Sequence, residues 1–155
     1  MVDELPVDDP PRPRPHFRTL NLLVGRMTTI KLAYWLALTI WELWGPRGWS
    51  IPFAVAASAL AMGWAARSAR QIDRRAGGIA RSIPTVATAF VTASVVAAPA
   101  SLPLLLIERQ RSIEGCPGQL TCNPTALFLW VAVFAIGFLV IPAVFALALR
   151  RTPPT

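Results

Sequence analysis

Histidine occurs once in this chain, at His16, and cysteine twice, at Cys116 and Cys122. Those scarcities exclude whole classes of chemistry. A membrane-embedded b-type haem generally needs histidine ligands within its spans, and the one histidine lies in a polar N-terminal segment. Covalent haem attachment needs Cys-x-x-Cys-His, which the sequence does not contain. Two cysteines without a nearby histidine cannot complete a four-ligand zinc site. Charge is scarce too: 15% of the 155 residues are charged and 54% are hydrophobic, with a mean hydropathy of +0.50. A soluble domain of this size needs more charge on its surface, whereas lipid covers a small polytopic membrane protein. No cofactor, metal centre or catalytic residue of its own is expected.

The net charge of +7 sits at the ends of apolar runs, not in a basic patch interleaved with aromatics. It therefore points to anionic lipid headgroups and topology control, and away from nucleic acid.

Residues 1–19 read as a tail rich in proline and aspartate. Its prolines favour extended polyproline II backbone and remove amide donors, so no helix is expected there. Residues 1–17 are the opposite of a basic leader with an apolar core, and the first apolar segment reads as a retained span. With no core of its own, such a tail is expected as a disordered terminus or along a partner protein, with Pro10, Pro11, Arg12, Pro13, Arg14 and Pro15 as the binding segment.

The rest reads as an all-α membrane protein, a four-helix transmembrane domain over 20–151 with a short tail at 152–155. Its spans are expected at about 27–45, 50–66, 83–107 and 125–149. Residues 20–29 begin a helix at the interface, with Arg26 reaching headgroups and Lys31 snorkelling back to them. Trp41, Trp44 and Trp49 form an aromatic belt at the far end of the first span, which Gly45-Pro46 terminates. In the second span, Ala57/Ala61 and Ala59/Gly63 are small residues at four-residue spacing, which lets another helix approach closely. Residues 67–82, RSARQIDRRAGGIARS, read as a solvated loop turning at Gly77-Gly78. Pro99, Pro103 and Pro142 are expected to bend the later helices.

Orientation follows from counting Lys and Arg. The N-terminal segment (Arg12, Arg14, Arg18, Arg26, Lys31), the 67–82 loop (Arg67, Arg70, Arg74, Arg75, Arg81) and the C-terminus (Arg150, Arg151) together carry twelve. The other side carries three, Arg47, Arg109 and Arg111. Both termini are therefore expected in the cytoplasm of a multi-pass plasma-membrane protein, with Arg67, Arg70, Arg74, Arg75, Arg150 and Arg151 at anionic headgroups such as those of cardiolipin. The loop GCPGQLTCNP then faces an oxidising compartment, where a Cys116–Cys122 disulfide is the expected staple. A thiol oxidoreductase is the competing reading, though one cysteine pair at this spacing has nothing to relay electrons to.

Glu42 is the single acid inside an expected span, and an intramembrane acid is a functional candidate by default. Trp41-Glu42-Leu43-Trp44 makes a small proton-coupled transporter or channel subunit one reading. The other is an interfacial glutamate paired with Arg47.

The proline-rich start PVDDPPRPRPHF ahead of a compact four-helix body resembles the prokaryotic respiratory supercomplex association factors. These accompany the cytochrome bc–cytochrome c oxidase supercomplex of high-GC Gram-positive bacteria. The resemblance covers the general layout and the tail. It implies a non-catalytic accessory subunit without cofactors, whose partners are the cytochrome bc and cytochrome c oxidase subunits and lipid.

Overall fold

The computed structural model describes residues 15–46, 49–76, 82–115 and 124–150. Pro10 to Arg14, Arg47, Cys116, Cys122 and Arg151 lie outside the described residues, and with them the expected disulfide and the binding segment up to Arg14. Every regular element among the described residues is helical. Helix α1 is Pro15–Trp44 and α2 is Ser50–Ala76. Helix α3, Ile83–Ala97, passes through a 3₁₀ turn at Ala98–Ser101 into α4, Leu102–Gly115. Helix α5, Pro124–Ala135, passes through a π turn at Ile136–Val140 into α6, Ile141–Arg150.

These make four rods. α1 packs along α2 and α3, and α2 packs along α6. Tyr34 meets Ser58 while Trp41 stacks on Phe53, so α1 and α2 run in opposite directions. Lys31 lies by Phe138 while Tyr34 reaches Val133, so α5–α6 also opposes α1. The start of α1, the ends of α2 and α6 and the start of α3 therefore gather at one end, with Arg18, Arg67, Arg70, Arg74 and Arg150.

The core is a stripe down each helix. On α1 it comprises Leu23, Met27, Ile30, Tyr34, Trp35 and Leu38, spaced by three and four as a helical face requires. α3 answers with Ala89, Ala93 and Ala97, all fully buried, whose small side chains let α1 come close. The outside is apolar instead: Trp44 is 86% exposed and Leu60 75%. Ile83–Gln110 and Trp130–Arg150 are long and apolar enough to cross a membrane, yet only 22% and 28% of their most apolar stretches are buried. The core helix of a water-soluble protein would be mostly buried. An apolar exterior of this extent calls for lipid or a partner.

Three expectations are corrected. The extended tail does not reach residue 19: α1 begins at Pro15, because proline is tolerated at a first helical position and Thr19 and Leu23 already bury themselves in the bundle. Nor does the second helix stop at 66. It continues to Ala76, since Ser68, Ala69, Ile72 and Asp73 keep the buried stripe in phase while Arg67, Arg70 and Arg74 point outward. Lys31, finally, does not snorkel, as described below. Two of the three prolines expected to bend the later helices, Pro99 and Pro142, lie in or near changes of helix type. Pro99 lies inside the 3₁₀ turn, and the π turn ends two residues before Pro142, which has no N–H to offer the preceding turn.

Candidate functional site

The centre of the bundle is organised by one cation. Lys31 is the only lysine beside fourteen arginines, and its side chain is fully buried. Its Nζ donates to Ser94 Oγ at 2.5 Å. It also lies 5.1 Å from the centre of the Phe90 ring and 5.4 Å from that of Phe138. The Ser94 hydroxyl in turn donates to the Phe90 carbonyl at 2.8 Å. This leaves its oxygen lone pairs for the ammonium. Both ring faces present negative quadrupole density, each worth about 0.5–2 kcal/mol to a desolvated cation. No carboxylate among the described residues pairs with Lys31. A guanidinium fork would not fit this arrangement, whereas a compact ammonium on a flexible stem does.

One helical turn away, Tyr34 ties three helices together. Its phenol proton is shared between Ser58 Oγ at 3.2 Å and the Val133 carbonyl at 3.3 Å, while Ser58 donates to the Ala54 carbonyl at 2.7 Å. Trp35, also fully buried, packs at 4.9 and 5.2 Å from the Phe134 and Phe138 rings. Gly137 in the π turn makes room for it: a methyl group at 137 would overlap the Trp35 ring and touch Tyr34 Cε1 at 3.0 Å. The indole Nε1 of Trp35 and the hydroxyl of Thr39 are buried without a hydrogen-bond partner. The interior thus carries a narrow polar seam, walled by aromatic rings, between α1, α2, α3 and α5.

Glu42 is buried as well, and it is engaged rather than free. It stands eleven positions beyond Lys31, about 16 Å along α1, so these two side chains are not brought together. The proposed small-residue pairs of α2 separate by face. Ala61 is buried and Ala57 half-buried, while Ala59 and Gly63 are exposed. Arg67, Arg70, Arg74 and Arg150 are all exposed at one end of the bundle, and Arg75 belongs to α2 by its backbone. Among the described residues, no group of histidine, cysteine and acid side chains could hold a metal ion.

Sequence reasoning missed Lys31 as an interior residue. Two signals could have found it: its solitude among arginines, and its place four residues after Met27 and four before Trp35, on the buried face. Compared with known proteins, the chain matches no family model, no curated protein and no solved structure.

Proposed function

We propose that this chain is a cofactor-free accessory subunit of a larger membrane assembly, crossing the bilayer four times with both termini in the cytoplasm. The assembly implied by the sequence resemblance is the cytochrome bc–cytochrome c oxidase supercomplex. The observation that carries the accessory role is the outer face of α2. Ala56, Ala59 and Gly63 lie exposed along it, and a methyl group added at Gly63 would meet nothing within 4 Å. Helices in lipid associate through small residues that let backbones approach. The inward Ala57/Ala61 pair serves that purpose inside the bundle, while the outward Ala59/Gly63 pair faces away from the rest of the chain. It fits a helix of another subunit.

The test is gentle purification from native membranes, with identification of the proteins and haems retained. Haem-bearing respiratory subunits are expected with the wild-type chain, and Gly63→Leu should release them without lowering the bundle's own melting temperature. Removing residues 1–14, which leaves α1 whole, should weaken retention as well if the proline-rich segment lies along a partner. Stoichiometric retention by Gly63→Leu would remove the docking role of this face.

Lys31 favours a second reading, a small transporter or channel subunit. An ionisable group inside a membrane bundle costs free energy and is commonly kept for ion or proton movement. In proteoliposomes this reading predicts a proton-linked flux that Lys31→Met or Glu42→Gln abolishes; a flux unchanged by both removes it.

A further inference from the structure

α3 and α6 are the neighbours in the bundle that do not pack along each other, and a cleft of about 320 Å³ lies between them. Ile83, Val86 and Phe90 of α3 form one wall, and Leu139 of the π turn and Ala146 of α6 form the other. Among the described residues lining it, all are apolar except Arg150, the last residue of α6. Its guanidinium is exposed, and no acid among the described residues pairs with it. The opening at Arg150 and Ile83 is also where α3 begins, and the first amides of a helix favour an anion. Arg67, Arg70 and Arg74 of α2 are exposed at the same end.

An apolar trough with a single cation at one mouth has the polarity of a phospholipid standing in a leaflet. Left empty, the trough would forfeit dispersion contacts along both walls. Hydrocarbon restores them without any polar group having to leave the interface. A phosphate at the mouth can accept a bidentate pair of hydrogen bonds from a guanidinium. We propose that the α3–α6 cleft binds an anionic phospholipid of the arginine-side leaflet, its phosphate on Arg150 and one acyl chain lying along Val86, Phe90 and Leu139. The site rests on the reading that the chain spans a membrane, and it does not depend on a partner subunit. Phe90 closes the deep end on the α3 side. The same ring faces Lys31, so the bound chain abuts the polar seam of the bundle.

The experiment uses the full chain in nanodiscs of phosphatidylcholine with a minority of phosphatidylglycerol, followed by stepwise delipidation and native mass spectrometry. The wild-type protein should keep phosphatidylglycerol after the annular lipids are stripped. Arg150→Gln should lower its preference for phosphatidylglycerol over phosphatidylcholine roughly fivefold. Ala146→Phe, which fills the trough, should lose the retained lipid of either kind, and Ala87→Phe provides the same blockade from the opposite wall. Arg109→Gln removes an exposed charge from α4, away from this end, and should change nothing. Equal retention by both blocking variants, or an unchanged preference in Arg150→Gln, overturns the site. Lipid retention that persists while no partner co-purifies would sink the accessory-subunit reading alone.

Discussion

Lys31 on α1 and Ser94 on α3 are joined by a 2.5 Å hydrogen bond inside the bundle, and the lysine has no solvent-exposed surface. In the proposed membrane setting, bringing a charge this far inside costs about 2.5–3.5 kcal/mol on insertion scales. Two ring faces and one hydroxyl offset part of that cost. The bond ties α1 to α3 at the level where Ala89, Ala93 and Ala97 allow the closest approach.

The two partners of this bond should respond differently to removal. Lys31→Met keeps the length of the side chain and removes both the charge and its solvation cost, so the melting temperature in detergent should hold or rise. Ser94→Ala leaves the buried ammonium without its acceptor and should cost about 1.5–3 kcal/mol. Thermal unfolding of both variants checks the order. If Lys31→Met proves the more damaging, the ammonium is a structural asset and the offset is larger than argued.

Gly137 and Trp35 give a second test. A methyl at 137 would overlap the indole, so Gly137→Ala should destabilise the bundle by about 1–3 kcal/mol, the usual range for overpacking. Trp35→Phe frees that space and should be additive with Gly137→Ala only if the clash is absent. A double-mutant cycle should instead give a coupling on the order of 1 kcal/mol or more in favour of the pair.

Tyr34→Phe removes one phenol and thereby the link between Ser58 and the Val133 carbonyl. Because Ser58 already donates to Ala54, its own need is met, and the loss should stay near 1 kcal/mol. Ser58→Ala should cost no more than this. A much larger loss in Tyr34→Phe would mean that the Val133 carbonyl of α5 has no other donor.

How much of this was legible beforehand differs between helices. The helical class followed from the apolar runs, and the last two long helices, Ile83–Gln110 and Trp130–Arg150, are long and apolar enough to cross a membrane. α1 and α2 are not by the same measure, and the reason is physical. In α1, Lys31 and Glu42 face inward, where a hydropathy sum counts them as though they faced out; in α2, only residues 50–66 precede the exposed Arg67. The end of α2 was read as a loop because five arginines in 67–82 look solvated in one dimension. In three dimensions Arg67, Arg70 and Arg74 share the outer face, with Ser68, Ala69, Ile72 and Asp73 on the inner one. The α3–α6 cleft had no signature at all, since it depends on which helices become neighbours.

Topology is the remaining prediction, and the geometry makes it sharp. α1, with thirty residues, and α2, with twenty-seven, are about 45 and 40 Å long at 1.5 Å per residue. Both exceed a hydrocarbon core of about 30 Å. On the proposed four-span topology the surplus belongs at the arginine end, with Arg67, Arg70 and Arg74 outside the lipid and Trp44 and Trp49 at the opposite boundary. A cysteine placed at Ser82, in a chain with Cys116 and Cys122 replaced by serine, should therefore react with a membrane-impermeant maleimide only in inside-out vesicles. One placed at Trp49 should react only in right-side-out vesicles. Were both to label from the same side, α2 would not cross the bilayer, and the inward-facing arginine count would lose its meaning as an orientation signal. Labelling with the two sides exchanged would preserve the spans and reverse the topology, placing Arg150 and its cleft in the outer leaflet.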